Sequence, residues 1–316
     1  MMISTIGLKK SFKTRSGSVD AVKGVDMTVQ GGEIFGFLGP NGAGKTTTLR
    51  MLATLIEPDG GEATIAGVDL RTSPGDVRRV IGYVAQGGST WDEVTAREEL
   101  VLQARLYGIS KAEAQRRTQK ALAAFQLTEF ADRKCKTYSG GQRRRVDIAL
   151  GIIHEPKIVF LDEPTTGLDP QSRAHMWDEV RRLRDEGVTV FLTTHYLDEA
   201  DALCDRICIM DGGEVVAEGT PESLKREISG DVVTVGVPDH LAEKALSLAM
   251  AEQFSRRGEL LGGDGIRLYV ESGALAIPHL LRILDGAGIE PGSIELHRPS
   301  LDDVFLAKTG RSLRES

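Results

Sequence analysis

The sequence predicts an α/β fold built on a parallel sheet, because strand-like and helical segments alternate along most of the chain. Two near-continuous apolar runs, "PKIVFLDEP" and "GVTVFLTTH", are typical of strands that are buried on both faces of such a sheet. Each run ends in polar residues and is followed by a segment with helical spacing of apolar residues. In folds of this class ligands bind beyond the carboxyl ends of the strands, so we expect the functional site there.

The strand and helix pattern begins at "GEIFGFLG", which predicts a strand that enters a glycine-rich turn. The next segment, "KTTTLRMLATLI", predicts a helix, and "RRVIGYVAQ" predicts a second short strand. Two segments with helical spacing follow, "TAREELVLQARLYG" and "KAEAQRRTQKALAAF". They predict a helical subdomain over about residues 90–155.

The character of the sequence changes from about Asp231, where shorter segments replace the long apolar runs. Strands are predicted at "DVVTVGV", "GIRLYVE" and "IELHR", and helices at "HLAEKALSLAM" and "ALAIPHLLRILDGAG". This order is typical of a small α+β domain built on a few antiparallel strands. We therefore expect a first domain of residues 1–229 and a small accessory domain of residues 230–316.

The composition, with 41% hydrophobic and 27% charged residues, is that of an ordinary globular protein. A net charge of −7 argues against nucleic acid as a partner, since binding to phosphate backbones requires a basic surface. The three cysteines are too few and too irregularly spaced for a disulfide framework or a zinc site. No stretch approaches the ~20 apolar residues of a membrane span, and the N-terminus lacks the apolar core of a signal peptide. We expect any function at a membrane to require a partner protein.

A nucleotide site is predicted by "GPNGAGKT" (Gly39–Thr46), which matches G-x-x-x-x-G-K-[ST] between a predicted strand and a predicted helix. The glycines let successive backbone amides turn towards a phosphate, and the helix N-terminus adds positive potential. Lys45 can reach the β- and γ-phosphates, and Thr46 can offer its hydroxyl to Mg²⁺. These residues predict a P-loop site for a nucleoside triphosphate.

Polar residues end three of the predicted strands, at the edge where an α/β sheet binds its ligand. Asp162, at the end of the strand in "IVFLDEP", matches the acidic residue that helps to hold Mg²⁺ in P-loop proteins. Glu163 follows it at the mouth of the strand, where it could orient or activate an attacking water. His195 and Gln86 end the other two strands. A lone residue of either type is more often structural, and the position of these two beside the predicted site makes them candidates.

The segment "KTYSGGQRRRVDIAL" begins a predicted helix with a serine and two glycines. Ser139 and Gln142 fit S-x-x-Q, the capping box that satisfies free amides at a helix start. A cap needs no glycines, and each glycine in a first turn costs up to ~1 kcal/mol relative to alanine. Gly140 and Gly141 are explained if a phosphate must approach the amides of this helix start closely.

Taken in order, these motifs resemble the nucleotide-binding subunits of ABC transporters over roughly residues 1–225. The resemblance implies a P-loop NTPase with a RecA-like core, in which two subunits meet head to tail around ATP. Each ATP would lie between the P-loop of one subunit and the "YSGGQ" signature of the other, so the signature is half of a site. Tyr138 departs from the family pattern, because leucine is common at the head of the signature.

The resemblance also assigns roles to residues at the matching positions. Phe12 corresponds to an aromatic residue that stacks on adenine, although it could instead be a buried core residue. The resemblance implies that Glu163, His195 and Gln86 are catalytic and that Thr46, Gln86 and Asp162 hold Mg²⁺. It also implies that the nucleotide is bound by Phe12, Gly39, Pro40, Asn41, Gly42, Ala43, Gly44, Lys45, Thr46, Thr47, Ser139, Gly140, Gly141, Gln142 and Asp169.

Three longer segments point to a subgroup of this family. "FGFLGPNGAGKTTTLRML", "TTHYLDEADALCDRI" and "RPSLDDVFLAKTG" resemble the daunorubicin-resistance type of ATPase subunit. That resemblance implies ATP hydrolysis coupled to export of a drug, antibiotic or lipid through a separate ABC-2 type permease. It places the chain on the cytoplasmic side of the cell membrane, paired with a second ATP-binding subunit that is either a copy or a paralogue.

Two other hypotheses remain open at this stage. The first is a soluble ABC-type ATPase that acts on ribosomes or DNA and does not transport. A single cassette, the lack of long heptad repeats and the negative net charge argue against it. The second makes residues 231–316 a binding module for a regulator, a lipid or the exported compound. The spacing of residues shows no obvious site there, so a structural or dimer-contacting role is favoured.

Overall fold

The structure is a computed structural model that describes residues 1–14, 17–261 and 265–310. It divides into two units, one of residues Met1–Thr220 and a second that begins at Pro221. The strands of the first unit are β1 (Ile3–Thr14), β2 (Gly17–Val29), β3 (Ile34–Leu38), β4 (Gly60–Ile65), β5 (Val68–Asp69), β6 (Ile81–Val84), β7 (Ile158–Asp162), β8 (Thr189–Thr194), β9 (Arg206–Asp211) and β10 (Glu214–Gly219). Its helices are α1 (Lys45–Leu52), α2 (Pro74–Val80), α3 (Ala96–Leu106), α4 (Lys111–Ala124), α5 (Gly140–Ile152), α6 (Pro170–Asp185) and α7 (Leu197–Leu203).

A six-stranded sheet with the order β10-β9-β3-β8-β7-β6 carries the site. Neighbouring strands run parallel except for β9 and β10, which form an antiparallel pair. Strands β3, β7 and β8 are buried along their whole length, which confirms the α/β fold predicted from their apolar runs. The ring of Phe191 lies 5.5 Å from the rings of Phe35, Phe37 and Phe160 at the centre of this sheet. Full burial of each such side chain contributes about 1.5–3 kcal/mol.

A second sheet of the first unit, with the order β2-β1-β4-β5, is antiparallel and was not predicted from the sequence. Buried and exposed residues largely alternate along β2, and the end of β1 is exposed. Such strands lack the continuous apolar run that marks a fully buried strand. Their buried side chains, among them Ile3, Val25 and Ile65, join the same core cluster as Phe37 and Leu49. This sheet therefore covers part of the core that holds the P-loop strand and helix.

The predicted helices between residues 90 and 155 are confirmed as α3, α4 and α5, and each begins with a side-chain cap. Thr95 and Glu98 form a reciprocal capping box at the start of α3. At the start of α4 the hydroxyl of Ser110 accepts a hydrogen bond from the backbone N–H of Glu113. Short polar sequence signals therefore fix where these helices begin.

The second unit contains four helices and four strands within its described residues. They are α8 (Pro221–Ser229), β11 (Asp231–Gly236), α9 (Asp239–Met250), β12 (Ser255–Leu261), β13 (Gly265–Val270), α10 (Gly273–Gly286), β14 (Ser293–His297) and α11 (Leu301–Thr309). From β11 to β14 the order is β-α-β-β-α-β, and the antiparallel sheet has the order β12-β13-β11-β14. This is the ferredoxin-like arrangement, with buried residues of α9 and α10 packed against the sheet.

Two features of the second unit differ from the sequence-based expectation. Strand β12 was not predicted, because its sequence "SRRGELL" places three charged residues on a half-exposed strand. Helix α8 was expected in the first domain, whereas it falls in the second unit and packs against α11. Leu224 of this helix is buried. A sequence pattern shows that such a residue is buried, but it does not show which unit the helix packs against.

Glu99 on α3 is a buried carboxyl whose proton equilibrium should affect stability. Its side chain is 9% exposed, and only Oε1 has a partner, the backbone N–H of Trp91 at 3.2 Å. Burial raises the pKa of Glu99 to about 7. The folded state therefore binds more protons than the unfolded chain between about pH 4.5 and pH 7, and the free energy of unfolding falls as pH rises through that window.

We expect Glu99→Gln to stabilise the protein by about 2 kcal/mol at pH 8 and to have little effect at pH 5, because the neutral amide removes the cost of ionising a buried carboxyl. Urea unfolding at the two pH values measures the difference. Glu129→Gln, at an exposed position in the same region, is the control and should give a pH profile parallel to that of the wild type. Parallel profiles for Glu99→Gln and the wild type would contradict this assignment.

Candidate functional site

The loop between β3 and α1 has a backbone that only glycine fits at two positions. Gly44, which precedes the first residue of α1, has a φ of +102°, and a Cβ there would lie 2.3 Å from the carbonyl oxygen of Ala21. A Cβ at Gly39 would lie 2.2 Å from the carbonyl oxygen of Met210. No side chain caps this helix start, so its first amides remain available to a phosphate. The loop therefore has the form of an anion site.

Lys45 places its ammonium group over this loop. Its Nζ donates hydrogen bonds to the carbonyl oxygens of Gly39 at 2.7 Å and Pro40 at 3.0 Å. Burial lowers the pKa of Lys45, while the nearby carboxylates of Glu163 and Asp162 oppose that shift. Nζ lies 3.8 Å from Oε1 of Glu163. The ammonium is therefore held beside the phosphate-binding loop and within reach of the acidic residues after β7.

Asp162, the last residue of β7, is linked to the P-loop helix and to β8 by two hydroxyl groups. Thr46 Oγ1 donates to Asp162 Oδ1 at 3.0 Å, and Thr193 Oγ1 donates to the same oxygen at 2.8 Å. Thr193 also accepts the backbone N–H of Glu163 at 3.0 Å. One threonine thus positions both acidic residues, and a carboxylate and a hydroxyl oxygen lie side by side at the edge of the sheet.

The carboxylate of Glu163 is the point where side chains from several elements meet. Its Oε2 accepts hydrogen bonds from Gln86 Nε2 at 2.8 Å and from Thr166 Oγ1 at 3.1 Å. Nδ1 of His195 lies 3.3 Å from the same oxygen, without the alignment of a hydrogen bond. The backbone of Glu163 has a φ of +44°, a left-handed conformation that costs a non-glycine residue about 1–3 kcal/mol. Strain of this kind is concentrated at functional sites.

The structure thus brings together six of the residues that the sequence singled out. They come from the ends of β6, β7 and β8 and from the start of α1, and all lie at the carboxyl edge of the parallel sheet. These residues are Lys45, Thr46, Gln86, Asp162, Glu163 and His195.

The signature segment forms its own hydrogen bonds, separate from those of this cluster. Ser139 and Gln142 form the predicted capping box at the start of α5, with the Ser139 hydroxyl accepting from the N–H of Gln142 and Gln142 Oε1 accepting from the N–H of Ser139. Within the described ranges, no hydrogen bond or ion pair joins these residues to Gly39–Thr46.

The two signature glycines differ in their surroundings. A Cβ at Gly141 would lie 2.7 Å from Ser172 Oγ, so close packing against α6 already favours a glycine at that position. A Cβ at Gly140 would have only Leu168 within reach, at 4.0 Å. Gly140 therefore has open space beside it, and no contact within the described chain accounts for the glycine.

Two further predicted residues lie on other elements, one at the start of α6 and one on β1. Asp169 caps α6, where its carboxylate accepts hydrogen bonds from the N–H of Ser172 at 2.9 Å and from the Ser172 hydroxyl at 2.6 Å. Those hydrogen bonds hold the pKa of Asp169 below its usual range. Phe12 lies on β1 opposite Val19 with 39% of its surface exposed, and Nζ of Lys10 lies 5.7 Å from the centre of its ring. The exposure of the ring argues against the alternative of a buried core residue.

Sequence reasoning missed several residues that position the site. Thr193 stands two residues before His195 in "FLTTH", and a polar residue at the end of a buried strand is the signal that could have found it. Thr166 gave no such signal. The buried Arg144 donates to three backbone carbonyls beside the site, and nothing in the run Arg143–Arg145 distinguishes it from its two neighbours.

A P-loop, an acidic strand end and a capped signature helix on one α/β sheet define the class as an ATP-binding cassette. Comparison with known proteins places the chain within that class. Residues 22–166 match the family described as ABC transporter, and residues 219–309 match the C-terminal domain of ATP-binding protein DrrA1-3-like. The chain therefore belongs to the ABC transporter family, as an ATP-binding subunit.

Individual relatives agree with this. The chain is 44% identical to the daunorubicin/doxorubicin resistance ATP-binding protein DrrA of Streptomyces peucetius over 98% of this chain and 92% of that protein. It is 34% identical to the linearmycin resistance ATP-binding protein LnrL of Bacillus subtilis (strain 168), over 99% of this chain and 100% of that protein. The structure is also similar to that of a dimeric ATP-binding cassette, MJ0796, which was solved in a post-hydrolysis state with ADP and phosphate. The TM-score is 0.64 and the identity 29%, over 69% of this chain and 98% of that one.

These findings confirm the predicted ATP-hydrolysing subunit of an exporter and disfavour the soluble, non-transport ATPase.

Removal of the Thr193 hydroxyl should separate ATP hydrolysis from ATP binding. We expect Thr193→Val to lower kcat at least 10-fold and to change the Kd for ATP less than threefold. The isosteric side chain leaves the P-loop intact but releases both Asp162 and Glu163, and a small misplacement of catalytic groups is costly. Steady-state hydrolysis and equilibrium ATP titration measure the two quantities.

Thr189→Val is the matched control, since Thr189 lies at the opposite end of β8 and its hydroxyl accepts the N–H of Gly32 at 2.9 Å. It should lose a comparable amount of stability, about 1 kcal/mol, and keep its kcat. An unchanged kcat in Thr193→Val would show that the hydroxyl does not position the acidic pair.

Proposed function

We propose that this chain hydrolyses Mg²⁺-bound ATP in a head-to-tail dimer and thereby drives an ABC-2 type permease that exports a drug, an antibiotic or a lipid. The observation that carries the proposal is the convergence of Lys45, Gln86 and His195 on the carboxylate of Glu163, next to a P-loop. Such a cluster is suited to binding a γ-phosphate and to positioning the water that attacks it.

The residues at the edge of the sheet fit Mg²⁺. Thr46 Oγ1 and Asp162 Oδ1 lie 3.0 Å apart, and hydroxyl and carboxylate oxygens are the hard ligands that Mg²⁺ prefers. The amide nitrogen of Gln86 donates to Glu163, which leaves its amide oxygen as the atom that could face a cation. We therefore propose Thr46, Asp162 and Gln86 as the magnesium-binding residues. The bound ion would neutralise charge on the β- and γ-phosphates.

Within this site the protein's own residues have distinct roles. The P-loop amides, Gly39 through Thr46 with Thr47 beside them, and the Lys45 ammonium bind the phosphates. Glu163 accepts a hydrogen bond from the attacking water and orients it, since its carboxylate is held at the mouth of β7 by Gln86 and Thr166. His195 is placed to contact the γ-phosphate once Glu163 has turned to the water. Phe12 is proposed to stack on the adenine.

The site is complete only when a second subunit contributes its signature. The open space beside Gly140 and the capped helix start at Ser139 support a surface that a partner's γ-phosphate approaches. Gly141, Gln142 and Asp169 would lie along the same dimer seam. Closure then depends on the γ-phosphate, and hydrolysis removes the contact that favours the closed state.

A groove in the first unit provides a docking surface for the permease. It has a volume of about 450 Å³ and is lined by residues of α3 and by the segment after β6. Large apolar side chains at its rim are exposed, including Trp91 at 63% and Leu106 at 73%. Exposed apolar side chains around one groove mark a protein-interaction site. Ser89, which lies three residues after Gln86, also lines the groove and connects it with the nucleotide site.

The permease would also determine where the protein resides. None of the helices in the described ranges is both long and apolar enough to cross a membrane. We propose that the chain is held at the cytoplasmic side of the cell membrane through this groove. Relatives named for resistance to daunorubicin, doxorubicin and linearmycin support a drug or antibiotic as the cargo.

Replacement of the central carboxylate gives the main test of this mechanism. We expect Glu163→Gln to lower Mg²⁺-dependent ATP hydrolysis at least 100-fold, because the amide cannot accept the proton of the attacking water. ATP should still bind, and the variant should accumulate as an ATP-bound dimer that size-exclusion chromatography resolves. Turnover at the wild-type rate would refute the role of Glu163.

Lys45→Ala is the companion variant and should instead weaken nucleotide binding itself. An ATP titration is expected to show at least a 10-fold increase in Kd, since the variant removes the ammonium group that lies over the phosphate-binding loop. An unchanged Kd would contradict the assignment of the loop.

The groove is tested by a charge placed on its rim. We expect Leu106→Glu to abolish co-purification of the membrane permease and to leave ATP binding unchanged, because an acidic side chain opposes burial of an apolar partner. Leu275→Glu is the matched control, since Leu275 is also 73% exposed but lies on α10 of the second unit. Loss of the permease from the Leu275 variant alone would contradict this proposal and would place the docking surface on the second unit.

A further inference from the structure

Arg144 on α5 is a buried arginine that binds only backbone carbonyl groups. Its side chain is 6% exposed, and its guanidinium donates to the carbonyl oxygens of Pro164 at 2.9 Å, Ala85 at 2.6 Å and Asp162 at 3.1 Å. Ala85 immediately precedes Gln86 in the chain. Asp162 and Pro164 are the residues on either side of Glu163. A single side chain therefore fixes the backbone next to Gln86 and Glu163, whose side chains are hydrogen-bonded to each other.

Asp147, three residues later on the same face of α5, holds the rest of the segment after β6. Its Oδ1 accepts the backbone N–H groups of Ser89 at 2.7 Å and Thr90 at 3.0 Å, as well as the Thr90 hydroxyl at 2.7 Å. A Cβ at Gly88 would lie 2.7 Å from the other oxygen of Asp147, so this segment can approach the helix closely only because residue 88 is glycine. Residues 85–90 are thus tied to α5 at both ends.

The chemistry of the Arg144 contacts argues for positioning and against simple packing. Burial of a guanidinium is unfavourable unless its donors are satisfied, and an apolar side chain would fill the same space without that requirement. No carboxylate lies within ion-pair distance of Arg144 among the residues that the structure describes, and its donors bind three carbonyls, one after β6 and two at the end of β7. A rigid fork of N–H donors is the group that can bridge acceptors in this way, and lysine cannot reproduce it.

We propose that Arg144 is a positioning residue that makes the signature helix and the hydrolytic centre of its own subunit move as one body. Ser139 caps the start of α5 five residues before Arg144, so a displacement of the helix start would be transmitted to the backbone at Asp162–Pro164 and at Ala85. This inference rests on the proposed function, in which the start of α5 faces the ATP of the partner subunit. Nucleotide bound at one site of the dimer would then adjust Glu163 at the other site.

Two substitutions test this role, Arg144→Lys, which keeps the charge, and Arg144→Ala, which leaves a space. Both should lower kcat at least 10-fold and change the Kd for ATP less than threefold, because the P-loop is untouched. The dependence of the rate on ATP concentration should be cooperative in the wild type, with a Hill coefficient above 1, and hyperbolic in Arg144→Lys. Addition of guanidinium at non-denaturing millimolar concentration should restore kcat in Arg144→Ala.

Arg206→Lys is the matched control, because Arg206 also links separate strands, donating to the carbonyl of Thr28 at 3.1 Å and to Glu33 at 3.0 Å, at the opposite end of the sheet. It should keep the wild-type kcat and Hill coefficient even if its melting temperature falls. A wild-type kcat in Arg144→Lys, or a loss of kcat that follows the loss of folded protein and is not restored by guanidinium, would overturn the positioning role.

The dimer on which the proposal rests is measured separately, in the Glu163→Gln background. That variant and the double variant Glu163→Gln/Arg144→Lys should both form ATP-dependent dimers, since Ser139 and Gly140 are intact in each. Absence of the dimer in Glu163→Gln alone would mean that the proposed function fails, and it would overturn the transmission between sites. A dimer that forms in Glu163→Gln and not in the double variant would show that Arg144 acts on assembly, which contradicts the positioning role.

Discussion

The carboxylate of Glu163 is the contact on which the arrangement of the site depends. It is a buried acid on a strained residue, and it is retained because groups from four separate elements surround it. A buried carboxylate is stable only when its oxygens are paired, so each of those elements is constrained to end at a particular place. The parallel sheet supplies this constraint by bringing the ends of β6, β7 and β8 to one edge.

The sequence was most informative where chemistry depends on a short, local pattern. The P-loop, the acidic pair at the end of β7 and the capping box at Ser139 each need only a few consecutive residues, and each was placed correctly in its element. Fully buried strands were predicted for the same reason, since a continuous apolar run is visible in a few consecutive residues. The antiparallel pair of β1 and β2 and the charged strand β12 were missed because these partly exposed strands lack the continuous apolar run of a buried strand.

Side chains that hold other residues in place were the hardest to predict. Arg144 stands in a run of three arginines, and only its three-dimensional contacts distinguish it from its neighbours. Thr193 is likewise indistinguishable by type from other threonines in β8. The two signature glycines make the same point in another way: Gly141 has a packing reason within its own chain, while Gly140 has none among the residues that the structure describes. Identical letters in a motif therefore need not share a physical cause.

The capping box at Ser139 has a consequence for the kinetics of assembly. Because Ser139 and Gln142 satisfy each other's backbone groups in the isolated subunit, the helix start is already ordered before a partner arrives. A preorganised surface loses little conformational entropy on association, and it does not fray when the partner leaves. In the proposed dimer, encounter between subunits would then be governed by diffusion and by the nucleotide, not by a slow folding step.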